Sequence, residues 1–593
     1  MHRLVTVSQG KFWLILTVAI SVGCGNGQQP ERVEFAAETA PEGLSSDSGL
    51  LADLNLRPET ASNQPVVSSQ IRFENVHVEA GLDFTFDNGF SPARLMPHST
   101  SGGAGWLDYD GDGWLDLFLP QGGSLTADDW TDQPRDQLYR NVAGRFELVT
   151  IPAQIVDAYY GHGLAVGDYN GDGFDDIYVT NVGPDVLHLN MGDGTFREVS
   201  RQAGIANPEW SSSAAWGDLD RDGDLDLYVC NYLDYDPKHP IACLDEAGNP
   251  STCNPTMVSG VPNHFYLNQG DGTFIECADD RGLNAPGNKS LGVVIADFNE
   301  DGEPDVFVAN DTTANQLFMN QGGGRFVENA VALGCALSGL GQFQAGMGVA
   351  YGDYDHNGYP DLYITHFTAE SNTLYQNFGG TGFIDVTSSG GLHLPTLPYL
   401  GFGTVMVDFD ANGYQDLIVA NGHIDDYRKR TGVMWYMRPQ LFTFDGRTWH
   451  ECTTEGGPYF EREWLGRAVA SADYDRDGDL DLAVIHQNDP IGLLRNDSPS
   501  GHSLRLRFIG SDCNRRGIGV KVVLKQADRQ FVQQLPGGTS YCASHEPVLH
   551  FGLGASTTPC ELAVVWPGGK RETLSAVAVD QDLVIREASA QLP

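Results

Sequence analysis

Seven short runs of carboxylates recur along the chain, each with the pattern D-x-[DN]-x-[DN]-G-x-x-D followed by apolar residues. The first run begins at Asp108. The others begin at Asp168, Asp218, Asp297, Asp353, Asp408 and Asp473, at intervals of 60, 50, 79, 56, 55 and 65 residues. Alternate side chains on a tight loop point at one centre, and a hard cation such as calcium takes roughly six to eight oxygens at about 2.3–2.6 Å. Positions 1, 3, 5 and 9, with the backbone carbonyl of position 7, supply most of such a shell. Glycine at position 6 permits a turn that a Cβ would obstruct. Magnesium suits the pattern less well, because it demands a small octahedron and keeps its water.

On this spacing the candidate ligands of the first loop are Asp108, Asp110, Asp112, the carbonyl of Trp114 and Asp116. The second offers Asp168, Asn170, Asp172, the Phe174 carbonyl and Asp176, and the third Asp218, Asp220, Asp222, Asp224 and Asp226. The fourth offers Asp297, Asn299, Asp301, Glu303 and Asp305, and the fifth Asp353, Asp355, Asn357, Tyr359 and Asp361. The sixth has Asp408, Asp410, Asn412, Tyr414 and Asp416, and the seventh Asp473, Asp475, Asp477, Asp479 and Asp481. Up to seven calcium ions are expected. An EF-hand loop starts in the same way but needs a Glu at position 12. Here that position is Leu119, Val179, Val229, Val308, Ile364, Val419 and Val484. Each loop therefore runs into a buried strand and not into an exiting helix. Asp-Gly and Asn-Gly also make simple turns, but turns alone require no carboxylate at position 9.

The elements that must hold these loops are hairpins. After most loops comes a short apolar segment ending in Asn, then glycine, then an aromatic, as in Leu187 to Asn190 before Phe196 and Phe265 to Asn268 before Phe274. A repeat of about 60 residues holds about four strands, the size of a propeller blade. The expected fold is all-β: a seven-bladed β-propeller, whose closure leaves no long open sheet edge. Aromatic-led strands occur at Phe146, Phe196, Phe274, Phe326, Phe383 and Trp449, and none follows the seventh loop. An extra one, Phe73 to Val76, precedes the first loop. It is expected to complete the last blade and clasp the ring.

Composition agrees with bound cations. The 593 residues carry 79 acidic and 35 basic side chains, a formal charge of -44, which argues against nucleic-acid binding. With 41% hydrophobic residues, disorder is a poor explanation of that charge. The N-terminus reads as an export signal: Arg3 and Lys11 precede an apolar run from Phe12 to Gly23 that is too short to span a bilayer. Cys24 follows small residues as in a lipoprotein processing site. Lipidation of Cys24, ordinary cleavage and a retained anchor all stay open, and a lipid on Cys24 is the only membrane attachment expected. Residues 25–70 read as a flexible spacer, 71–498 as the ring and 499–593 as a small β-sandwich-like domain. Export permits disulfides, and Cys243 with Cys253 is the best pair, bracketing a short insertion.

The repeats resemble FG-GAP/VCBS repeats, the calcium-loop blades also found in integrin α-subunit propellers. The C-terminal region resembles the ASPIC/UnbV domain of the cartilage acidic protein family and its bacterial members. The residues that carry this are Asn514 to Gly519, Ser540-Tyr541, Leu549 to Gly554 and Trp566 to Gly569. The resemblance implies fold, export and calcium, and little chemistry. Cys513 and Cys542 depart from the family pattern, with a local disulfide as one outcome.

No phosphate loop, nucleotide fingerprint or nucleophile elbow is present. His545 and His550 flank Glu546 with one residue too many for a zinc helix, and Pro547 breaks the helix. Asn421, His423, Asp425 and Asp426 form a polar loop that reads first as turn hydrogen bonding. Two insertions, Cys230 to Pro262 and Asn421 to Gln440, bring Tyr232, Tyr235, Tyr427, Trp435 and Tyr436 to loop faces, for ligand contact or for packing. The leading expectation is an exported, periplasmic or cell-surface binding module for protein or glycan, without catalysis. The alternative is an exported polysaccharide lyase or hydrolase with an acid–base pair near the ring axis.

Overall fold

The computed structural model describes residues 70–588 apart from 126–133, 158, 246, 285 and 429–431. The chain divides into two compact units, Met1–Ser48 and Gly49–Pro593, and the described residues belong to the second. The expected export segment, Cys24 and nearly all of residues 25–70, expected as a spacer, lie outside the described residues.

Seven antiparallel sheets follow one another along the chain, each entered by the same alternation of small residues, acidic loop and apolar run. Their first strands are Ala104–Leu107, Gly161–Gly167, Ser211–Gly217, Ser290–Ala296, Val349–Gly352, Gly401–Val407 and Gly466–Ala472. Each first strand packs against that of the next sheet, and the seventh against the first, which closes a ring. These strands are rich in Gly, Ala and Ser because seven backbones converge there. A Cβ on Gly348 would sit 2.2 Å from the Phe402 carbonyl oxygen, and one on Gly403 2.4 Å from that of Arg467. The fourth strands face outwards; Phe196–Glu198, Phe274–Glu276 and Phe326–Glu328 each bury only their leading aromatic. Between neighbouring sheets lie stacked rings, such as Tyr169 on Trp216 at 6.0 Å.

The seventh sheet takes its outer strand from the start of the ring. Phe73–Asn75 pairs antiparallel with Gly492–Asn496, Phe73 opposite Asn496, and the Phe73 side chain is wholly buried. The order of this sheet puts residues from both ends of the ring in one hydrogen-bonded unit, as the count of aromatic-led strands anticipates.

The C-terminal strands form two further sheets, one of three strands around His502–Ile509 and one of four around Lys521–Gln526. Leu504, Leu506, Val522, Leu524, Leu562 and Trp566 fill the space between them. Residues 536–548 leave these sheets and run along the ring axis. Gly537 exchanges backbone hydrogen bonds with Ile295 (2.8 and 3.0 Å), and Ser540 with Val349 (2.9 and 2.6 Å). Ala543–Ser544 adds a parallel strand to the first sheet. Ser540 Oγ donates to Val469 O and accepts from Thr404 N–H. Ser213 Oγ accepts from Cys542 N–H, and Ser544 Oγ from Val166 N–H. The segment thus touches the first strand of every sheet, and Tyr541 at its tip is fully buried. The sequence anticipates a sandwich beside the ring, and contains no periodic signal for a plug inside it.

Cys243 and Cys253 are disulfide-bonded. Cys513 and Cys542 are both free thiols, so the local disulfide considered for them is not formed. Cys542 lies in the axial segment beside Ser213, and Cys513 beside Glu587.

Candidate functional site: the acidic loops

Each acidic loop joins the first and second strands of its sheet, and one set of hydrogen bonds shapes all seven. The N–H of the glycine at position 6 donates to the aspartate at position 1. Examples are Gly113 to Asp108 (3.0 Å), Gly173 to Asp168 (2.8 Å), Gly358 to Asp353 (2.9 Å) and Gly413 to Asp408 (2.7 Å). Position 4 is left-handed in every loop. It is Gly111 and Gly171 in the first two, then Arg221, Glu300, His356, Ala411 and Arg476, all with φ between 51° and 64°. Five residues with a Cβ therefore hold a conformation that costs free energy outside glycine. This feature has no signature in residue type.

In the first, third, fifth and sixth loops the carboxylates of positions 1, 3 and 9 are brought together. One oxygen from each of Asp108, Asp110 and Asp116 lies within 4.8 Å of the others, and the same holds for Asp218, Asp220 and Asp226. It holds too for Asp353, Asp355 and Asp361, and for Asp408, Asp410 and Asp416. Loops two and four carry Asn170 and Asn299 at position 3, and in each this amide donates to the position-5 aspartate.

Position 9 has a second role. Asp116, Asp176, Asp226, Asp305, Asp361, Asp416 and Asp481 are fully buried. Asp116 accepts the N–H of Tyr109 (3.0 Å) on one oxygen and that of Asn141 (2.7 Å) on the other. Asp226 does the same with Leu219 and Asn268, and Asp481 with Tyr474 and Asn496. The asparagine at the end of the third strand then reaches the sheet before its own: Asn190 Nδ2 donates to Tyr109 O (2.9 Å) and Asn268 Nδ2 to Tyr169 O (2.9 Å). In the sixth sheet Phe444 ends the third strand and packs edge-on against Tyr354 at 5.1 Å instead.

The electrostatics of the loops are unfavourable for anions alone. Burial, then the neighbouring carboxylates, pushes Asp116 up to about 8 against the pull of its two backbone N–H bonds. Burial likewise raises Asp305 to about 8, and Asp218 and Asp353 to about 7. Several oxygens have no hydrogen-bond partner although buried: Asp108 Oδ1, Asp218 Oδ1, Asp220 Oδ1, Asp416 Oδ1 and Asp475 Oδ1. A buried oxygen without a donor is costly, and these oxygens together fit a hard cation.

The loops face the C-terminal sheets, which meet them with cations. Arg505 pairs with Asp473 and donates to Glu546 (2.8 and 2.9 Å). Arg516 forks onto Asp175 (2.6 and 2.7 Å), and Lys521 pairs with Glu300. Sequence spacing gave no hint of these partners, which lie far apart in the chain.

On the other face of the ring the two insertions meet the segment around Leu95. Tyr232 is buried with Trp210 and Met437, while Tyr235 packs on Trp210 from a half-buried position. Asp425 accepts from Arg94 (2.7 Å), and His423 is buried with its Nδ1 at 3.3 Å from the Asp425 N–H, which is turn bonding of the expected kind. Trp435 and Tyr436 stay half-buried and line a cavity of about 190 Å³ with Phe90, Arg94 and Thr252. His545 directly follows the Ala543–Ser544 strand, where its Nδ1 accepts the Ser471 N–H (2.9 Å), and His550 lies in the Leu549–Gly554 strand.

A closed ring of four-stranded sheets with an acidic loop at each first turn defines a β-propeller of the acidic-loop class. The FG-GAP-like repeat model matches residues 108–179, 168–229, 256–308, 297–364 and 408–484, and the ASPIC and UnbV model matches 510–592. The chain belongs to the FG-GAP-like repeat family, and it carries an ASPIC and UnbV domain. It is 23% identical over 505 residues to cartilage acidic protein 1 of Mus musculus, covering 81% of this chain and 63% of that protein. It is 25% identical over 444 residues to that of Xenopus tropicalis, covering 70% and 62%. The chain thus spans less than two thirds of the length of these relatives. Among solved structures, an Agrocybe aegerita lectin that recognises non-reducing terminal N-acetylglucosamine is a distant likeness. It has 15% identity and a TM-score of 0.39, covering 66% of this chain and 87% of the lectin. Rhamnogalacturonan lyase YesW is as distant, with 13% identity and a TM-score of 0.35, covering 66% and 71%.

Proposed function

We propose that the protein is an exported, calcium-loaded propeller that serves as a binding module for protein or glycan at the cell surface or in the periplasm. The ring spans residues 71–498 and the C-terminal domain 499–593. The observation that carries the calcium reading is the set of buried, partnerless carboxylate oxygens in loops whose other oxygens are already fixed by backbone N–H groups. The loop aspartates hold the ion, and the carbonyl at position 7 adds to its shell. The ion would neutralise carboxylates that burial disfavours as anions, and so make each loop rigid.

The binding reading is favoured over the lyase or hydrolase reading by the axial segment. Residues 536–548 run along the ring axis, where an acid–base pair serving the alternative would have to converge, and two groups they bring to the cavity there are engaged, Glu546 with Arg505 and His545 with the Ser471 N–H. Ligand contact is assigned to the cavity of Phe90, Arg94, Trp435 and Tyr436 on the face away from the loops, where aromatic side chains remain partly open. The test is binding of wild-type protein and Trp435→Ala to a glycan panel and to envelope protein of a matching cell, in calcium. Binding lost in the variant supports the assignment. Equal binding by the variant, or turnover of polysaccharide by the wild type, contradicts it.

A further inference from the structure

A cluster of two carboxylates and an imidazole lies outside the acidic loops, in the seam between the first and second sheets. Asp136 stands just before the third strand of the first sheet, Gln137–Val142. Asp157 stands in the connection to the second sheet, and His188 is in that sheet's third strand, Val186–Asn190. All three are buried, and one ligand atom from each lies within 4.8 Å of the others.

His188 is the informative residue. Its register partners are Ile177 and Glu198. The same register position in the other sheets is Tyr139, Tyr266, Phe318, Tyr375, Phe442 and Leu494. Six sheets thus place an aromatic or apolar side chain where the second places an imidazole. That imidazole is wholly buried, and neither ring nitrogen has a hydrogen-bond partner. Its ring neighbours are Phe118 at 6.1 Å and Phe196 at 6.5 Å, which offer no acceptor. Packing alone would be served better by phenylalanine, and a buried polar group without a partner is destabilising.

Asp136 is half used. Its Oδ1 accepts the Gln121 N–H (2.8 Å), as asparagines at the same place do in three other sheets, and its Oδ2 has no N–H or hydroxyl donor and meets only the carboxyl of Asp157. Asp157 accepts the Tyr159 N–H (2.8 Å) on Oδ1 and Asn181 Nδ2 (3.3 Å) on Oδ2. These bonds fix both carboxylates, so the site is built and not a chance encounter of mobile side chains.

We propose that Asp136, Asp157 and His188 bind one divalent transition-metal ion, of which zinc is the representative. Calcium prefers a larger shell of oxygens alone, whereas an imidazole nitrogen with two carboxylates suits zinc and its first-row neighbours. Two carboxylates balance the charge of the ion, and a neutral imidazole completes a compact donor set. The ion would pin the first sheet to the second.

The test uses full-length protein kept in millimolar calcium, loaded with zinc sulfate, freed of loose ion by gel filtration and analysed by inductively coupled plasma mass spectrometry. Wild type is expected to retain one zinc ion. Asp136→Asn and His188→Phe are expected to retain none while keeping their calcium. His188→Phe follows the residue found at this register in other sheets, so it is expected to fold. No zinc on wild type, or equal zinc on His188→Phe, overturns the proposal. Should both variants fail to fold, zinc X-ray absorption on wild type decides. One imidazole in the shell supports the site, and none or several contradict it.

Discussion

Asn141 Nδ2 donates to the backbone carbonyl of Tyr474 at 2.8 Å, across 333 residues, and so ties the first sheet to the seventh. Its own N–H is held by Asp116 of the first acidic loop at 2.7 Å. Loop and seam are thus one hydrogen-bonded unit, and the same relay recurs wherever the third strand ends in asparagine.

Asn141→Ala should destabilise the ring. It leaves the buried carbonyls of Leu115 and Tyr474 short of a donor, at a cost of about 1–3 kcal/mol. Chemical denaturation checks this. Phe444→Ala should act through lost packing on Tyr354 instead, so adding Tyr354→Ala to it should cost less than the two changes made separately.

The axial segment should matter as much as a core strand. Tyr541 is fully buried, and its hydroxyl donates to Thr100 O at 2.9 Å. Tyr541→Ala should cost about 3–5 kcal/mol, as for other large-to-small core changes, whereas Tyr541→Phe should lose only the hydroxyl's bonds to Thr100 O and to His162 Nε2 (3.1 Å), about 1–3 kcal/mol. Similar melting temperatures for Tyr541→Ala and wild type would show that the axis does not need its plug.

The clasp separates two deletions. Removing residues 25–68 leaves the Phe73–Asn75 strand in place and should leave the melting temperature unchanged. Extending the deletion through Val78 bares the edge of Gly492–Asn496 and empties the site of Phe73, and should destabilise or aggregate the protein. Equal melting of the two forms would contradict the clasp.

The loop aspartates set the pH dependence of the calcium-free protein. Their folded-state values are raised, to about 8 for Asp116 and Asp305 and about 7 for Asp353. An unfolded aspartate lies at about 3.9. The folded state therefore binds more protons, and its stability is fully present below about pH 4 and falls as pH rises towards about 8. Melting in chelator should accordingly worsen between pH 7 and pH 8, above the range in which the buried histidines, lowered to about 4 by burial, act in the opposite sense. Melting in calcium should not, because the ion takes the place of the protons. A chelated protein more stable at pH 8 than at pH 7 would contradict this.

Much of the fold is legible in the chain because its repeats are long and each carries a loop that only one kind of turn satisfies. The seven acidic loops, five with Asp-Gly and two with Asn-Gly at the turn, the asparagine-to-aromatic hairpins and the surplus strand at Phe73 all read directly. The Cys243–Cys253 pair reads from its short, turn-rich enclosure. Other features depend on contacts between distant parts of the chain. Arg505 at Asp473, Arg516 at Asp175 and the run of Gly537 to Ser544 along the axis have no period and no local signature. His188 is visible as an odd residue only once strand register is known. Tyr232, for which the sequence allows ligand contact or packing, is core, buried against Trp210.

On the proposed function, the acidic loops hold calcium in the folded state alone. The direct measurement is the melting temperature of the purified full-length protein as free calcium is raised from chelated to millimolar, with bound calcium counted in the same samples. Each occupied site adds about 2.7 kcal/mol at a hundredfold excess over its dissociation constant. The expected result is a melting temperature that climbs steeply with calcium while several ions bind per chain, and that falls again on chelation. A melting curve unmoved by chelator, with no calcium retained after dialysis in micromolar calcium, would contradict the claim.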